Sequence, residues 1–184
     1  MGIFRTKEKK SKVEPKSDLQ LRADRLAGLV QLYFVQRIMQ VCAQEDKAYQ
    51  KQAGVMAMFH GIVLLFWQLD KAAADGQISP GQMVDLKALV VNHFVGVSMD
   101  KKKPLQQDLE HFTRWIYDLQ QQVGCNTDLD EDACVMALSE SLCDLLERDK
   151  PQEIARIMAR MPKYFAKVLR KKIDRNTVSQ CVNV

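Results

Sequence analysis

The sequence predicts an all-α fold: a single-domain bundle of about six helices around an apolar central helix at 53–74. Apolar residues recur at steps of three and four along most of the chain, which places them on one face of a helix. Glycine and proline are scarce, with eight and five among 184 residues, and no segment alternates cleanly enough to be a strand. Hydrophobic residues make up 47% of the chain and charged residues 27%, so it can bury a core.

The first helix is expected to begin after Ser17. Ser17 and Gln20 have the spacing of a capping box, in which the hydroxyl and the amide each satisfy a free backbone group of the first turn. The helix is expected to run to about Gln44 or further, because no stop signal follows the apolar stripe before Gly54. Its apolar face is expected to contain Leu26, Leu29, Val30, Tyr33, Phe34, Ile38, Val41 and Cys42.

The central helix is predicted from residues 53–69, which are apolar on every side of a helix. Such a helix must be surrounded by protein or by lipid. A membrane span needs about 20 apolar residues, with about 17 as the lower limit. This run barely reaches that limit and contains His60, Gln68 and two glycines. A buried core helix is therefore favoured over a membrane span.

Local signals separate the remaining helices. Gly76 is expected to end the central helix, and Ser79-Pro80 with Gln82 to begin the next one. Gly124 closes the following helix, and the acidic stretch at 127–132 opens another. Pro151 opens the last, in which Pro162 is expected to produce a kink. The expected apolar stripes of these helices are Met83, Leu86, Val90, Phe94 and Val97; Leu105, Leu109, Phe112, Trp115, Ile116, Leu119 and Val123; Val135, Leu138, Leu142, Leu145 and Leu146; and Ile154, Ile157, Met158, Met161, Phe165, Val168, Leu169 and Ile173.

The five cysteines predict neither a disulfide framework nor a zinc site. Their number is odd, no pair forms a C-x-x-C, and Cys134 and Cys143 lie on one predicted helix. Because the front end has no signal-peptide pattern, we expect reduced thiols in a cytoplasmic protein.

Charge is segregated along the chain, and it sets the expected domain boundaries. Residues 1–16 carry six Lys or Arg and two Glu, and residues 150–175 carry nine Lys or Arg and two acids, whereas 17–149 are acidic overall. We expect a basic flexible arm at 1–16, a helical domain at 17–175 and a short C-terminal tail at 176–184.

The last helix is the strongest candidate for a binding surface. Its basic residues follow helical steps beside the apolar stripe: Arg156, Arg160, Lys163, Lys167, Arg170, Lys171 and Lys172. Such a basic amphipathic helix can dock on anionic lipid, on nucleic acid or in the acidic groove of a protein partner. The alternative is a solvated face without a partner, or one that pairs with the acidic body of its own chain.

The arm supplies a second candidate. Met1-Gly2-Ile3-Phe4-Arg5-Thr6 fits the pattern for N-myristoylation at Gly2. A polybasic run follows, and one acyl chain needs such a second signal for stable anchoring: Lys7, Lys9, Lys10 and Lys12. This pattern favours attachment of the protein to the cytoplasmic face of a membrane.

Metal and catalytic patterns are weak in this sequence. The segments 71–82 and 126–137 lack most of the oxygen ligands of a calcium loop, and the three histidines fall on different helices. No phosphate loop or nucleophile elbow occurs, so no metal and no cofactor is expected. His60, inside the apolar helix, is expected to be buried, hydrogen-bonded and neutral.

These observations favour a non-enzymatic helical interaction protein, an adaptor or assembly component, held near a membrane or a protein partner by its basic ends. One alternative is a nucleic-acid-binding protein that uses the last helix and the arm. A second alternative is a helical enzyme or ligand carrier with a site near His60.

Overall fold

The computed structural model describes residues 16–98, 105–147 and 151–170, and within these ranges it contains helices and no strand. The chain begins with one continuous rod, which consists of α1 (Asp18–Gly28), a π-helical segment (Leu29–Val35) and α2 (Gln36–Val41). The helices that follow are α3 (Lys47–Ala74), α4 (Pro80–Ser98), α5 (Gln106–Val123), α6 (Glu131–Leu145), α7 (Pro151–Met158) and α8 (Met161–Arg170). The prediction of an all-α fold is confirmed.

Most of the predicted helix ends are confirmed by their hydrogen bonds. The Ser17 hydroxyl accepts from the backbone N–H of Gln20 at 3.2 Å. Ser79 and Gln82 form the expected reciprocal pair, with donor–acceptor distances of 3.0 and 3.1 Å. Gly76 adopts φ +69°, a left-handed conformation that ends a helix at little steric cost for glycine.

The predicted start of the central helix is wrong. The first rod ends at Val41, and α3 begins at Lys47 and not at 53. Asp46 caps α3, since its carboxylate accepts from the backbone N–H of Tyr49 at 2.8 Å. The Gln50 side chain fixes the turn between the two helices by donating to backbone carbonyls in it. A capping aspartate therefore separates the two helices, and Gly54 lies inside α3.

The predicted kink at Pro162 is instead a break. The helix stops at Met158, the chain turns at Ala159 and Arg160, and α8 restarts at Met161. Pro162 then lies in the first turn of α8, where its missing N–H has no intrahelical partner to lose.

α3 is the central helix of the bundle. It packs against the π-helical segment, α2, α4, α5, α6 and α8. It is long and apolar enough to cross a membrane, but 67% of its most apolar stretch is buried within the protein. Its buried side chains include Ile62, Val63, Leu64, Leu65, Phe66, Trp67 and Leu69. The structure therefore describes α3 as the core helix of the bundle.

Several residues expected on inward stripes point outward. Leu105 and Trp115 are each 62% exposed, and Val97 and Leu145 are about half exposed. α5 buries Phe112 and Ile116, which lie four residues apart on one face. Trp115 lies about 100° around the helix from Ile116, which places it at the edge of that face. The apolar stripes in the sequence are wider than the buried arcs of the helices.

The expectation of reduced cysteines is wrong for one pair. Cys125 and Cys134 form a disulfide, with their Cα atoms 5.4 Å apart. Cys125 lies in the turn after Gly124, and Cys134 lies in the first turns of α6, so the bond joins the loop between α5 and α6 to the helix that follows. The two cysteines are nine residues apart and match no short cysteine motif, so the pairing has no local signal in the sequence.

Reducing this disulfide is expected to lower the free energy of unfolding by about 2–3 kcal/mol, because it closes a loop of about ten residues. Urea unfolding with and without dithiothreitol measures the difference. The double variant C125A/C134A is the control, and dithiothreitol should not change its midpoint. An unchanged midpoint for the wild type would show that the bond does not form.

A close helix contact at Gly61 gives a second stability prediction. A Cβ at Gly61 would lie 2.8 Å from both Val30 Cγ1 and Phe34 Cδ1, whose side chains are fully buried. Gly61→Ala is therefore expected to lower the free energy of unfolding by about 1–3 kcal/mol. Gly28→Ala is the control, since Gly28 has helical φ and a Cβ added there would meet no atom within 4 Å. That control should raise stability by up to about 1 kcal/mol in urea unfolding.

Candidate anion-binding surface

The basic residues of α7 and α8 lie on the outer side of the bundle. The inward side of these helices is formed by Ile154, Ala155, Met158, Met161, Phe165 and Leu169, all buried. Five exposed cations lie on α7, on α8 and in the turn between them, and we call them the basic surface: Arg156, Arg160, Lys163, Lys167 and Arg170. Because the apolar side of α8 already packs in the core, only the charged side is available to a partner.

The basic surface has no acidic partner among the residues that the structure describes. The ion pairs found there are Lys16 with Asp24, Lys87 with Asp70, and His93 with Asp24, and none of them involves α7 or α8. Among the described residues, none of these five cations forms an ion pair with the acidic body of the chain. Glu153, the one acid on α7, makes no ion pair with Arg156.

A buried lysine differs from these exposed cations because it has an acidic partner. Lys87 on α4 is only 9% exposed, and its Nζ lies 2.6 Å from a carboxylate oxygen of Asp70 on α3. The same Nζ lies 4.9 Å from the centre of the Phe66 ring and 5.8 Å from that of Tyr117. This enclosed charge is paired, as burial requires, whereas charge on the basic surface faces solvent.

α8 is held against α1 by an arginine that no sequence pattern singles out. Arg22 Nη1 donates to the carbonyl oxygen of Val168 at 3.0 Å and also to that of Leu169. These carbonyls belong to the last turn that the structure describes for α8. No local pattern could reveal this contact, because the partners are 146 and 147 residues apart.

Two tyrosines and two arginines meet at the edge of the basic surface. The rings of Tyr33 and Tyr164 pack edge to face, with centroids 5.2 Å apart. The Arg37 guanidinium carbon lies 5.9 Å from the centre of the Tyr33 ring. A hydrogen bond from Arg160 is the main cause that lowers the pKa of Tyr33, and Tyr164 adds to the effect. We call these four residues the Tyr–Arg cluster.

His60 is buried and hydrogen-bonded through both ring nitrogens. Its Nδ1 donates to the Met56 carbonyl at 2.8 Å, and its Nε2 accepts from the Ser141 hydroxyl at 3.1 Å. Burial lowers the pKa of His60 to about 4, although the bond to Met56 opposes the shift. The prediction of a buried, hydrogen-bonded core histidine is confirmed. We assign His60 no part in ligand binding, because both nitrogens are used within the fold.

Other features of the described residues do not indicate a specific ligand. Within the described ranges, no group of three or more His, Cys, Asp or Glu side chains is placed to hold a metal ion. A groove of about 720 Å³ runs between α4 and α5, and it is lined by both signs of charge, from Glu110, Arg114 and Asp118. Such a mixed lining does not indicate one class of ligand.

Part of the predicted site lies outside the described residues. These are Lys171 and Lys172, the residues Lys7, Lys9, Lys10 and Lys12 of the predicted arm, and Gly2. Their roles stay predictions.

Comparisons of the chain with protein families, with curated proteins and with solved structures found no match. Its function is therefore inferred from the surface chemistry of the chain itself.

Proposed function

We propose that this is a non-enzymatic helical interaction protein, an adaptor or assembly component, that docks on an anionic membrane through its basic surface. One observation carries the proposal: five exposed cations on α7, on α8 and in the turn between them have no acidic partner in the part of the chain that the structure describes. An anionic leaflet attracts each nearby basic residue by roughly 1 kcal/mol.

The mode of docking follows from which side of α8 is free. Met161, Phe165 and Leu169 are buried in the core, so these apolar side chains of α8 cannot insert between lipids. Docking is therefore electrostatic and peripheral, and it weakens as salt shortens the Debye length.

The arm adds to this anchoring in the same proposal. Lys7, Lys9, Lys10 and Lys12 supply further positive charge, and acylation of Gly2 supplies an apolar anchor. A single acyl chain binds membranes only marginally, and a polybasic segment makes the attachment stable.

An exposed tryptophan supports the adaptor role. Trp115 on α5 is 62% exposed and packs edge to face on Phe59, with ring centroids 5.8 Å apart. Tryptophan is enriched at the centres of protein interfaces, where it fills a pocket of the partner. We propose that a protein partner binds around Trp115 while the basic surface faces the membrane.

Vesicle sedimentation of the full chain tests the proposal. The protein should sediment with vesicles of phosphatidylserine and phosphatidylcholine at low salt, stay in solution with phosphatidylcholine alone, and be released by high salt. Equal binding to both kinds of vesicle would overturn it. Duplex DNA is the competitor: if DNA displaces the protein from vesicles at physiological salt, the nucleic-acid alternative replaces this one.

A further inference from the structure

The Tyr–Arg cluster joins elements that are far apart in the sequence. Tyr33 lies in the π-helical segment, and Arg37 follows it by four residues on α2. Arg160 lies in the turn between α7 and α8, and Tyr164 lies in the first turns of α8. Two guanidinium groups from different parts of the chain therefore converge on one phenol ring at the protein surface.

The charges of this cluster are not compensated. Neither arginine forms an ion pair with any acid at 16–98, 105–147 or 151–170. Arg37 donates a 3.4 Å hydrogen bond to the side chain of Gln40, which is neutral. Both guanidinium groups lie beside Tyr33, so an anion placed next to this ring would be attracted by two positive charges.

The position of Tyr33 is fixed by the packing beneath it. Val30 and Phe34, which flank Tyr33 in the π-helical segment, are buried against Gly61 of α3. π-helical turns are rare and frequently occur at functional sites. The backbone that carries the Tyr33 side chain is therefore a packed helical segment and not a loop.

We propose that Arg37, Arg160 and the hydroxyls of Tyr33 and Tyr164 bind a phosphomonoester, supplied by a lipid headgroup at the membrane. A phosphomonoester carries close to two negative charges at pH 7 and three terminal oxygens. Planar guanidinium groups bind phosphate oxygens through paired N–H donors, and the two hydroxyls provide further donors. This inference rests on the proposed function and adds a headgroup preference to it.

Two vesicle compositions of equal surface charge test the preference. One contains phosphatidic acid, whose headgroup is a phosphomonoester, and the other contains phosphatidylserine, whose phosphate is a diester. Wild type should bind the phosphatidic acid vesicles about tenfold more tightly, which corresponds to about 1.4 kcal/mol. The double variant R37Q/R160Q should lose this preference.

A matched double variant separates site binding from total charge. R156Q/R170Q removes the same charge from exposed positions outside the Tyr–Arg cluster. It should bind both vesicles more weakly but keep the tenfold ratio. A ratio retained in R37Q/R160Q, or absent in wild type, would overturn this inference. Binding to phosphatidylserine vesicles with release by salt would leave the proposed function intact in either case.

Inorganic phosphate distinguishes a lipid source from a free one. NMR spectra of the tyrosine rings, recorded during titration with inorganic phosphate, report on occupancy of the cluster. Weak binding that does not compete with phosphatidic acid vesicles supports the lipid headgroup. Saturation by inorganic phosphate at concentrations that also displace the vesicles would overturn the lipid assignment.

Discussion

Replacing Lys163, Lys167 and Arg170 together by glutamine is expected to weaken adsorption to anionic vesicles roughly a hundredfold. Each basic residue close to an anionic leaflet contributes roughly 1 kcal/mol, and tenfold in affinity corresponds to about 1.4 kcal/mol. The three residues lie on the exposed side of α8 and form no ion pair with the rest of the described chain. Vesicle sedimentation over a range of lipid concentrations measures the loss.

A matched triple variant controls for net charge. Lys47, Lys51 and Arg114 are also exposed, but they lie on α3 and α5. Replacing them by glutamine should leave adsorption within a few-fold of wild type. Both variants should unfold near the wild-type temperature, because exposed substitutions away from contacts usually change stability by about 0.5 kcal/mol or less. Equal losses from the two variants would mean that total charge, and not the basic surface, controls adsorption.

Lowering the pH from 7 to 4 is expected to cost about 3 kcal/mol of stability through His60. Its pKa is about 4 in the folded protein, against 6.5 for an ordinary histidine. Between these values the unfolded chain binds a proton that the folded chain does not, so stability falls as pH falls through this window. Urea unfolding at pH 7, 5 and 4 measures the change.

The variant His60→Gln isolates the contribution of this residue. Glutamine loses stability at every pH because it disturbs the bonds to Met56 and Ser141, but it does not titrate. Its decline between pH 7 and 4 should be smaller than that of wild type by about the same 3 kcal/mol. Comparing the pH dependence of the two proteins cancels the contribution of the titrating carboxylates, including Asp24. Burial raises the pKa of Asp24, but the hydrogen bonds from Lys16 and Gln20 and the nearby positive charges outweigh this effect, so the pKa lies below its ordinary value. Parallel slopes would show that His60 is not buried as a neutral group.

Local signals in the sequence predict the helices well where the physical cause is local. The caps at Ser17 and Ser79 and the end at Gly76 depend on residues within one turn, and each is present. The wrong start of α3 has a local cause as well. Asp46 has the side chain of a helix cap, but the apolar pattern around it is equally compatible with a first helix that continues past this residue.

Features that depend on the tertiary fold could not be predicted. The outward position of Trp115 depends on α5 burying only one narrow face. The pairing of Cys125 with Cys134 depends on how the loop after Gly124 returns to α6. The contact of Arg22 with α8 and the meeting of Tyr33 with Tyr164 join the two ends of the domain.

The candidate site can be predicted from the sequence in part. Helical spacing predicts one stripe from Arg156 to Arg170 on a single helix; the structure divides that helix at Ala159 and Arg160, and the five basic residues are exposed. The same reasoning misses Arg37 and Tyr33, because Arg37 is an isolated basic residue and Tyr33 falls on an apolar stripe. Only the packing of α8 beside the first rod brings them to the basic surface.

Lysine footprinting tests most directly which face of the protein meets the membrane. The full chain is treated with an amine-reactive acylating reagent, with and without phosphatidylserine vesicles, and modification is measured by mass spectrometry. Lys163 and Lys167 should be protected by the vesicles, whereas Lys47 and Lys51, which are also exposed in the free protein, should not. Protection of Lys47 and Lys51 with continued modification of Lys163 and Lys167 would contradict docking through the basic surface.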